Sequence, residues 1–210
     1  MSAAGDFTEL ARAGGRGALV TVLSGPGAGG KLLVTADGER RGTLGDEALE
    51  AAAALCRLAR AAGWRPFVVD PRARFAQPAR FPDAEEVVAA WPEEAFARLG
   101  GIDRATAIAV LTHDPKLDDA ALVIALRSNA AYIGAMGSRR AQAGRRERLM
   151  AKGIAEDELG RISAPIGLDL GALTAEETAL SIMAEIVAMR YGRRGGRLAH
   201  AKGRIHEVGV

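Results

Sequence analysis

From about residue 46 onward, amphipathic helices alternate with short apolar strands, and this alternation constrains the fold more than any other feature of the chain. The run DEALEAAAALCRLARAAG reads as a helix stopped at Gly63, and it feeds the strand RPFVVD. PRARFAQPARFPDA follows, and its Pro and Arg content predicts a loop. A weak strand, EEVVAAW, leads into the helix PEEAFARLG, with Pro92 in its first turn. The clearest strand is ATAIAVLTH, followed by the helix LDDAALVIALRS, by AYIGAMG, and by the strongly polar helix SRRAQAGRRERLMAKG, which ends at Gly153. A turn through EDELGRI and a loop, SAPIGLDLGAL, precede the last helix, TAEETALSIMAEIVAMRY. Thr174 caps that helix and Glu177 stands three residues on, which is the spacing of a capping box. The pattern predicts an α/β protein with a mostly parallel sheet and helices on both faces.

The segment ahead of this pattern is different in kind. LSGPGAGGKL fits G-x-x-x-x-G-K from Gly25 through Gly30 to Lys31, the spacing at which backbone N–H groups wrap a phosphate. Position 32 is Leu where Ser or Thr would hold Mg²⁺, and LLVTADG continues as a strand ending on the turn Asp37-Gly38. A phosphate loop must open a helix, so these glycines are read instead as a turn joining the strands GALVTVL and KLLVT in a small β-hairpin segment. A dinucleotide-binding unit would begin with a strand and a G-x-G-x-x-G turn before its first helix, yet GERRGTLG supplies a turn and no buried strand. Either GALVTVL or KLLVTADG takes the empty place or the sheet lacks its first strand. The expected organisation is a β segment over residues 1–45, an α/β domain over 46–192 and a loose tail over 193–210.

Charge and cysteine usage exclude several classes of function. The net charge of +2 is too small and too dispersed for the concentrated basic face of a nucleic-acid binder. No apolar run reaches the roughly 18 residues of a membrane span, and MSAAGDFTEL carries acid where a signal peptide carries positive charge, so a cytoplasmic protein with no membrane partner is expected. Cys56 is the single cysteine, which rules out an internal disulfide and a structural zinc site built on cysteines, and its place in AALCRLARAAG is that of a core residue.

In an open parallel sheet the ligand lies beyond the carboxyl ends of the strands, and four polar clusters fall there. Asp70 in VVDPR stands like an acid that grips a ribose hydroxyl, or is an Asp-Pro turn. His113, Asp114 and Lys116 meet in THDPKLDD, where His beside Asp suits proton transfer or a metal, and Lys suits a phosphate. Against this, Asp114-Pro115 is a good turn, and Asp118 is placed to cap the next helix. In GAMGSRRAQAGRRER, Gly134 and Gly137 permit close backbone approach, while Ser138, Arg139 and Arg140 open a helix and suit an anion. The later Arg145, Arg146 and Arg148 read as a solvated face. Gly167, Asp169 and Gly171 form a small-residue loop that packs on a ligand or serves as a tight connection. There is no G-x-S-x-G, no H-E-x-x-H and no Cys-His pair, so the residues alone lead to an anion-friendly cleft and no further.

In VVDPRARFAQPARFPDA, LTHDPKLDDAAL, YIGAMGSRR and APIGLDLGALTAEETALSIMAEIVA the chain resembles the XdhC/CoxI family, the maturation factors of molybdenum hydroxylases such as xanthine dehydrogenase. The likeness covers residues 47–190, and 16–45 resemble the start of that family's N-terminal domain. The resemblance implies a Rossmann-like fold. It also implies a protein that binds molybdenum cofactor (molybdopterin), protects it during sulfuration, and passes it to an apo-hydroxylase of xanthine dehydrogenase or CO dehydrogenase type, with a sulfurtransferase as second partner. The strand-end residues named above would then be cofactor-binding residues. The chain departs from the family pattern in lacking a G-G-C-V-E type segment, replaced by TLGDEALEAAA, and the strand and Gly-rich turn before the first helix. It resembles a shortened member, for which a homodimer burying an edge strand is an expectation. The alternatives are a NAD(P)-dependent oxidoreductase with Asp70 on the ribose and His113 as proton donor, and a non-catalytic interaction module.

Overall fold

The computed structural model describes residues 3–13, 17–21, 31–36, 40–43, 47–112 and 114–201. The glycine-rich stretch 22–30, the turn Asp37-Gly38, His113 and the tail from 202 onward lie outside the described residues. The chain divides into two units, Met1–Glu50 and Ala51–Val210.

In the smaller unit, helix α1 (Ala3–Arg12) precedes three strands, β1 (Gly17–Thr21), β2 (Lys31–Thr35) and β3 (Arg40–Thr43). They form an antiparallel sheet in the order β1-β2-β3, with Leu19 opposite Leu33 and Leu33 opposite Arg41. β3 lies within GERRGTLG, for which the sequence predicts a turn only. RRGT has no apolar alternation to signal a strand, and it is pairing with β2 that makes it one. β1 and β2 belong to this antiparallel sheet of three strands.

The larger unit follows the predicted alternation. Helix α2 (Glu47–Ala61) ends near Gly63, whose φ of +79° is the left-handed turn that glycine adopts without strain. Then come β4 (Phe67–Val69), a 3₁₀ turn at Pro78–Arg80, β5 (Glu86–Val88), α3 (Pro92–Arg98), β6 (Ala107–Val110) and α4 (Pro115–Leu126). They are followed by β7 (Tyr132–Ala135), α5 (Arg139–Ala151), α6 (Glu156–Leu159), β8 (Ile162–Ser163) and α7 (Ala175–Arg190). All strand pairs here are parallel, in two ladders, β4-β5 and β6-β7-β8. EDELGRI, expected to be a turn, instead holds α6 and leads into β8, because Glu158 reaches back to accept the Ala155 N–H at 2.8 Å and closes a helical turn.

Every residue of β7 is buried, as befits a middle strand covered on both faces. On one side Ile108, Val110 and Ile133 pack with Leu122 and Leu126 of α4 and Leu149 of α5. On the other, Leu111 and Tyr132 pack with Ile182 and Ile186 of α7, joined by Ala52 and Leu55 of α2 and by Trp64. Burying a side chain such as Leu122 or Ile182, each fully enclosed, contributes about 1.5–3 kcal/mol. α5 follows a different rule: its buried residues are Arg145 and Leu149 alone, so ion pairs and one leucine seat a helix that is otherwise polar.

Candidate functional site

Because β6, β7 and β8 are adjacent and parallel, their carboxyl ends share one rim, and the openings of α4 and α5 lie on it. Asp114 caps α4 by accepting the Lys116 N–H at 2.9 Å, with Pro115 in the first turn. Ser138 caps α5 by accepting the Ala141 N–H at 3.2 Å. Two helix openings thus turn partial positive charge toward the same edge. Lys116, Arg139 and Arg140 are exposed beside them and have no ion-pair or hydrogen-bonding side-chain partner among the described residues. Gly137 precedes the Ser138 cap with φ +127°, a conformation that side chains rarely adopt.

A buried polar network holds this rim from below. The Thr112 hydroxyl donates to Asp118 Oδ1 at 2.6 Å and accepts the Asp114 N–H at 3.0 Å. Arg145 Nη2 donates to Asp118 Oδ2 at 2.9 Å and to the Met136 carbonyl at 2.8 Å. Asp118 and Arg145 are 3% and 5% exposed, so both sequence readings are corrected: Asp118 is a core acceptor rather than a helix cap, and Arg145 belongs to no solvated face. Burial pushes the Asp118 carboxyl above the ordinary range, while hydrogen bonds from Thr112 and Arg145 pull it down. Arg145 Nε is buried without a hydrogen-bond partner among the described residues, and a Cβ on Gly137 would lie 3.8 Å from the Nη2 of the same guanidinium. Arg148 grips the buried Asp119 in a fork at 2.8 and 3.1 Å, and Arg146 pairs with Glu156, so of this trio only Arg146 fits the predicted exposed face without a buried partner.

The remaining candidates take other places. Asp70 is buried at the end of β4, in the other ladder. Both its oxygens are held by the Arg72 guanidinium, at 2.8 and 2.6 Å, and the Arg72 N–H adds a third bond at 2.8 Å, which is the geometry of the turn reading. The space beside Gly134 is filled from within: a Cβ there would lie 2.5 Å from Ile166 Cδ1 and from the Tyr132 hydroxyl oxygen. Gly167, at φ +100°, donates its N–H to Glu185 at 2.8 Å, and the Tyr132 hydroxyl donates to the same carboxylate oxygen. Burial and this carboxylate push the Tyr132 phenol far above its ordinary value. Asp169 is exposed in the loop before α7, which the Ser181 hydroxyl holds through the Leu168 carbonyl. His113 falls on the rim by sequence but lies outside the described residues.

Thr112, Tyr132 and Glu185 are the residues that sequence reading missed, and Asp118 and Arg145 are those it misplaced. Tyr132 and Glu185 are 53 positions apart, and no local pattern links them.

This rim suits the phosphate end of a ligand. Metal ligation is a different matter: among the described residues no group of three or more His, Cys, Asp or Glu side chains could hold an ion. Cys56 is buried on α2 with its thiol pushed up to about 11, chiefly by burial, and offers no thiolate.

A family model described as the XdhC Rossmann domain matches residues 47–186. The chain is 30% identical over 136 residues to a Bacillus subtilis protein named as a probable xanthine dehydrogenase subunit; the alignment covers 65% of this chain and 39% of that protein. It is 35% identical over 89 residues to the molybdenum cofactor insertion chaperone PaoD of Escherichia coli, covering 42% of this chain and 28% of that one. Among solved structures, a xanthine dehydrogenase from Bacillus halodurans aligns with a TM-score of 0.58 at 27% identity, over 73% of this chain and 43% of that chain. The chain therefore spans well under half the length of each of these relatives.

Proposed function

The chain belongs to the XdhC Rossmann domain family, and on that premise we propose that it is an accessory factor in the maturation of a molybdenum hydroxylase, binding molybdenum cofactor and assisting its sulfuration and insertion. The observation that carries this reading is the rim itself. Two capped helix openings share it with the Gly137 turn and with the exposed Lys116, Arg139 and Arg140, which have no ion-pair partner among the described residues, and the buried Arg145 guanidinium packs next to that turn. Molybdopterin ends in a phosphate, and such a group is stabilised by helix-opening amides and by arginines that grip two oxygens at once.

In this reading Ser138 and the first amides of α5 hold the phosphate, Arg139 and Arg140 neutralise it, and Asp114 with Lys116 borders the other side. Gly167 and Asp169 form the wall supplied by the loop after β8. The cofactor supplies the oxo-transfer chemistry that the client hydroxylase uses; this chain's part is to orient and shelter it. Cys56, the only cysteine, is buried and protonated, so sulfur would reach the cofactor from a sulfurtransferase rather than from this chain. The client is an apo-hydroxylase of xanthine dehydrogenase or CO dehydrogenase type. A NAD(P)-dependent reaction is not favoured, since the Asp70 carboxylate that would grip a ribose is already engaged by Arg72.

The test is pterin content. Protein purified from cells able to make molybdopterin, against a cofactor-deficient strain, is expected to carry a stoichiometric pterin that fluoresces after release and oxidation. Arg139→Ala with Arg140→Ala is expected to weaken retention at least about tenfold at unchanged circular dichroism, and unchanged retention would remove the rim from consideration.

A further inference from the structure

β4 and β6 are both edge strands among the described residues: β4 bonds only to β5 and β6 only to β7. The same helix nevertheless packs on both ladders. Ala95 and Leu99 in and after α3 lie against Val69 and Val88, while Phe96 lies against the cluster of Ile108 and Val110. On the opposite face Trp64, just ahead of β4, and Ala107 and Ala109 of β6 pack against the same cluster of Leu111, Tyr132, Ile182 and Ile186. The two open edges therefore face a common space.

Parallel strands turn the backbone groups of successive residues to opposite neighbours. The Thr106 and Val110 carbonyls accept from Ala131 and Met136 on the β7 side, so Ala107 and Ala109 turn their N–H and C=O groups to the open side. By the same reasoning Pro66 and Asp70 bond toward β5, through Glu85 N–H and Val88 O, and Phe67 and Val69 face the other way. None of these outward groups has a backbone partner among the described residues, although Val69, Ala107 and Ala109 are half-buried. Half-buried backbone groups without partners are costly and mark a place for a strand.

Beside this edge, at the amino end of β6, a cavity of about 170 Å³ is lined by Trp64, Arg104, Ala107, Tyr132, Ile186 and Arg190. Neither arginine has an acidic partner among the described residues, and Arg190 lies 5.1 Å over the Trp64 ring. Alanine at 107 and 109 leaves room for larger apolar side chains on an incoming strand.

We propose that the space between β4 and β6 is a docking slot for one extended segment of another polypeptide, added as a parallel strand, apolar and β-branched along its length and acidic at its amino end. A strand covered on both faces by helices runs parallel to its neighbours and is apolar throughout. Its amino end then meets Arg104 and Arg190. A second copy of this chain is not the occupant, because its acidic-headed apolar run, Glu85-Glu86-Val87-Val88, is already paired as β5 against β4. Arg104 and Arg190 lie at the opposite end of β6 from the phosphate rim, so variants there and at Arg139 and Arg140 report on the slot and the rim separately.

The experiment is amide hydrogen exchange followed by NMR on the full chain, with a blocked peptide that begins with two glutamates and continues as a short valine- and isoleucine-rich run. Alone, the amides of Phe67, Val69, Ala107 and Ala109 are expected to exchange much faster than those of Ile108 and Val110. The peptide protects all four, and one headed by two lysines binds at least about tenfold more weakly. Arg104→Glu with Arg190→Glu reverses that preference, and Arg104→Glu alone reduces it. The proposal is overturned if the four amides are already as protected as Ile108 without peptide, or if their protection grows with protein concentration alone, which would make a second copy the occupant. A peptide preference that ignores the charge reversal overturns it too.

Discussion

Gly134 shows how a single position can carry a packing constraint that looks, in the sequence, like an invitation to a ligand. Alanine is the better strand residue by about 0.5–1 kcal/mol, so an unconstrained glycine here would gain from the substitution. At this position the new methyl would meet Ile166 and the Tyr132 hydroxyl, and the Tyr132 oxygen is tied to Glu185. Gly134→Ala is therefore expected to destabilise the protein by about 1–3 kcal/mol in urea unfolding, and adding Ile166→Val should return part of the loss. A neutral or stabilising Gly134→Ala would mean that the close approach of β7 to the loop after β8 is looser than described. Tyr132 is invisible to local reasoning for the same reason: its partner is a helix away, and only the fold brings the phenol to the carboxylate.

At the scale of elements, the pair Asp118 and Arg145 ties α4 to α5 and, through the Met136 carbonyl, to the end of β7. Breaking one side of a buried pair leaves an uncompensated charge, so Arg145→Met is expected to cost about 3–5 kcal/mol by the urea midpoint. Removing both charges with Asp118→Leu and Arg145→Met should recover most of it, and a double variant as unstable as the single one would refute the pairing argument. The opening of α7 is governed by a weaker and pH-dependent device. Glu177 accepts the Leu173 N–H at 2.8 Å and the Thr174 N–H at 3.0 Å, and these bonds hold its carboxyl below the ordinary range. A depressed folded-state value contributes stability that is present above the unfolded value, near about 4.3, and is lost as pH falls through the folded one. The Leu173 and Thr174 amides are accordingly expected to lose exchange protection below that pH. Glu177→Gln should make their protection flat across the same range, and an unchanged pH profile in that variant would assign the effect elsewhere.

For the whole molecule, the net charge of +2 is small, and the exposed Lys116, Arg139 and Arg140 at one end of the β6-β7 ladder and Arg104 and Arg190 at the other have no acidic partner among the described residues. That distribution favours small anionic groups and acidic segments over a nucleic-acid backbone, which needs a continuous basic face. No helix among the described residues is long and apolar enough to cross a membrane. The order of the helices and strands of the larger unit apart from α6 and β8, the cap at Thr174 and the stop at Gly63 were legible in the chain, because each depends on residues within a turn or two of one another, whereas α1 was not anticipated. The strand β3 and helix α6 were not, since one exists only through pairing with β2 and the other through a single carboxylate closing a turn. The polar residues at the strand ends were legible as a set, but of the two helix openings behind them only that of α5 was read correctly, since Asp114 and not Asp118 caps α4. What the sequence alone determined, then, is what local spacing sets: the alternation, the caps at Ser138 and Thr174 and the identity of the polar residues at the strand ends. Only the tertiary structure decided which charges are spent on one another, as Asp70 is on Arg72 and Asp118 on Arg145, and which strand edges stay open, because those outcomes depend on burial and on contacts between segments far apart in the chain.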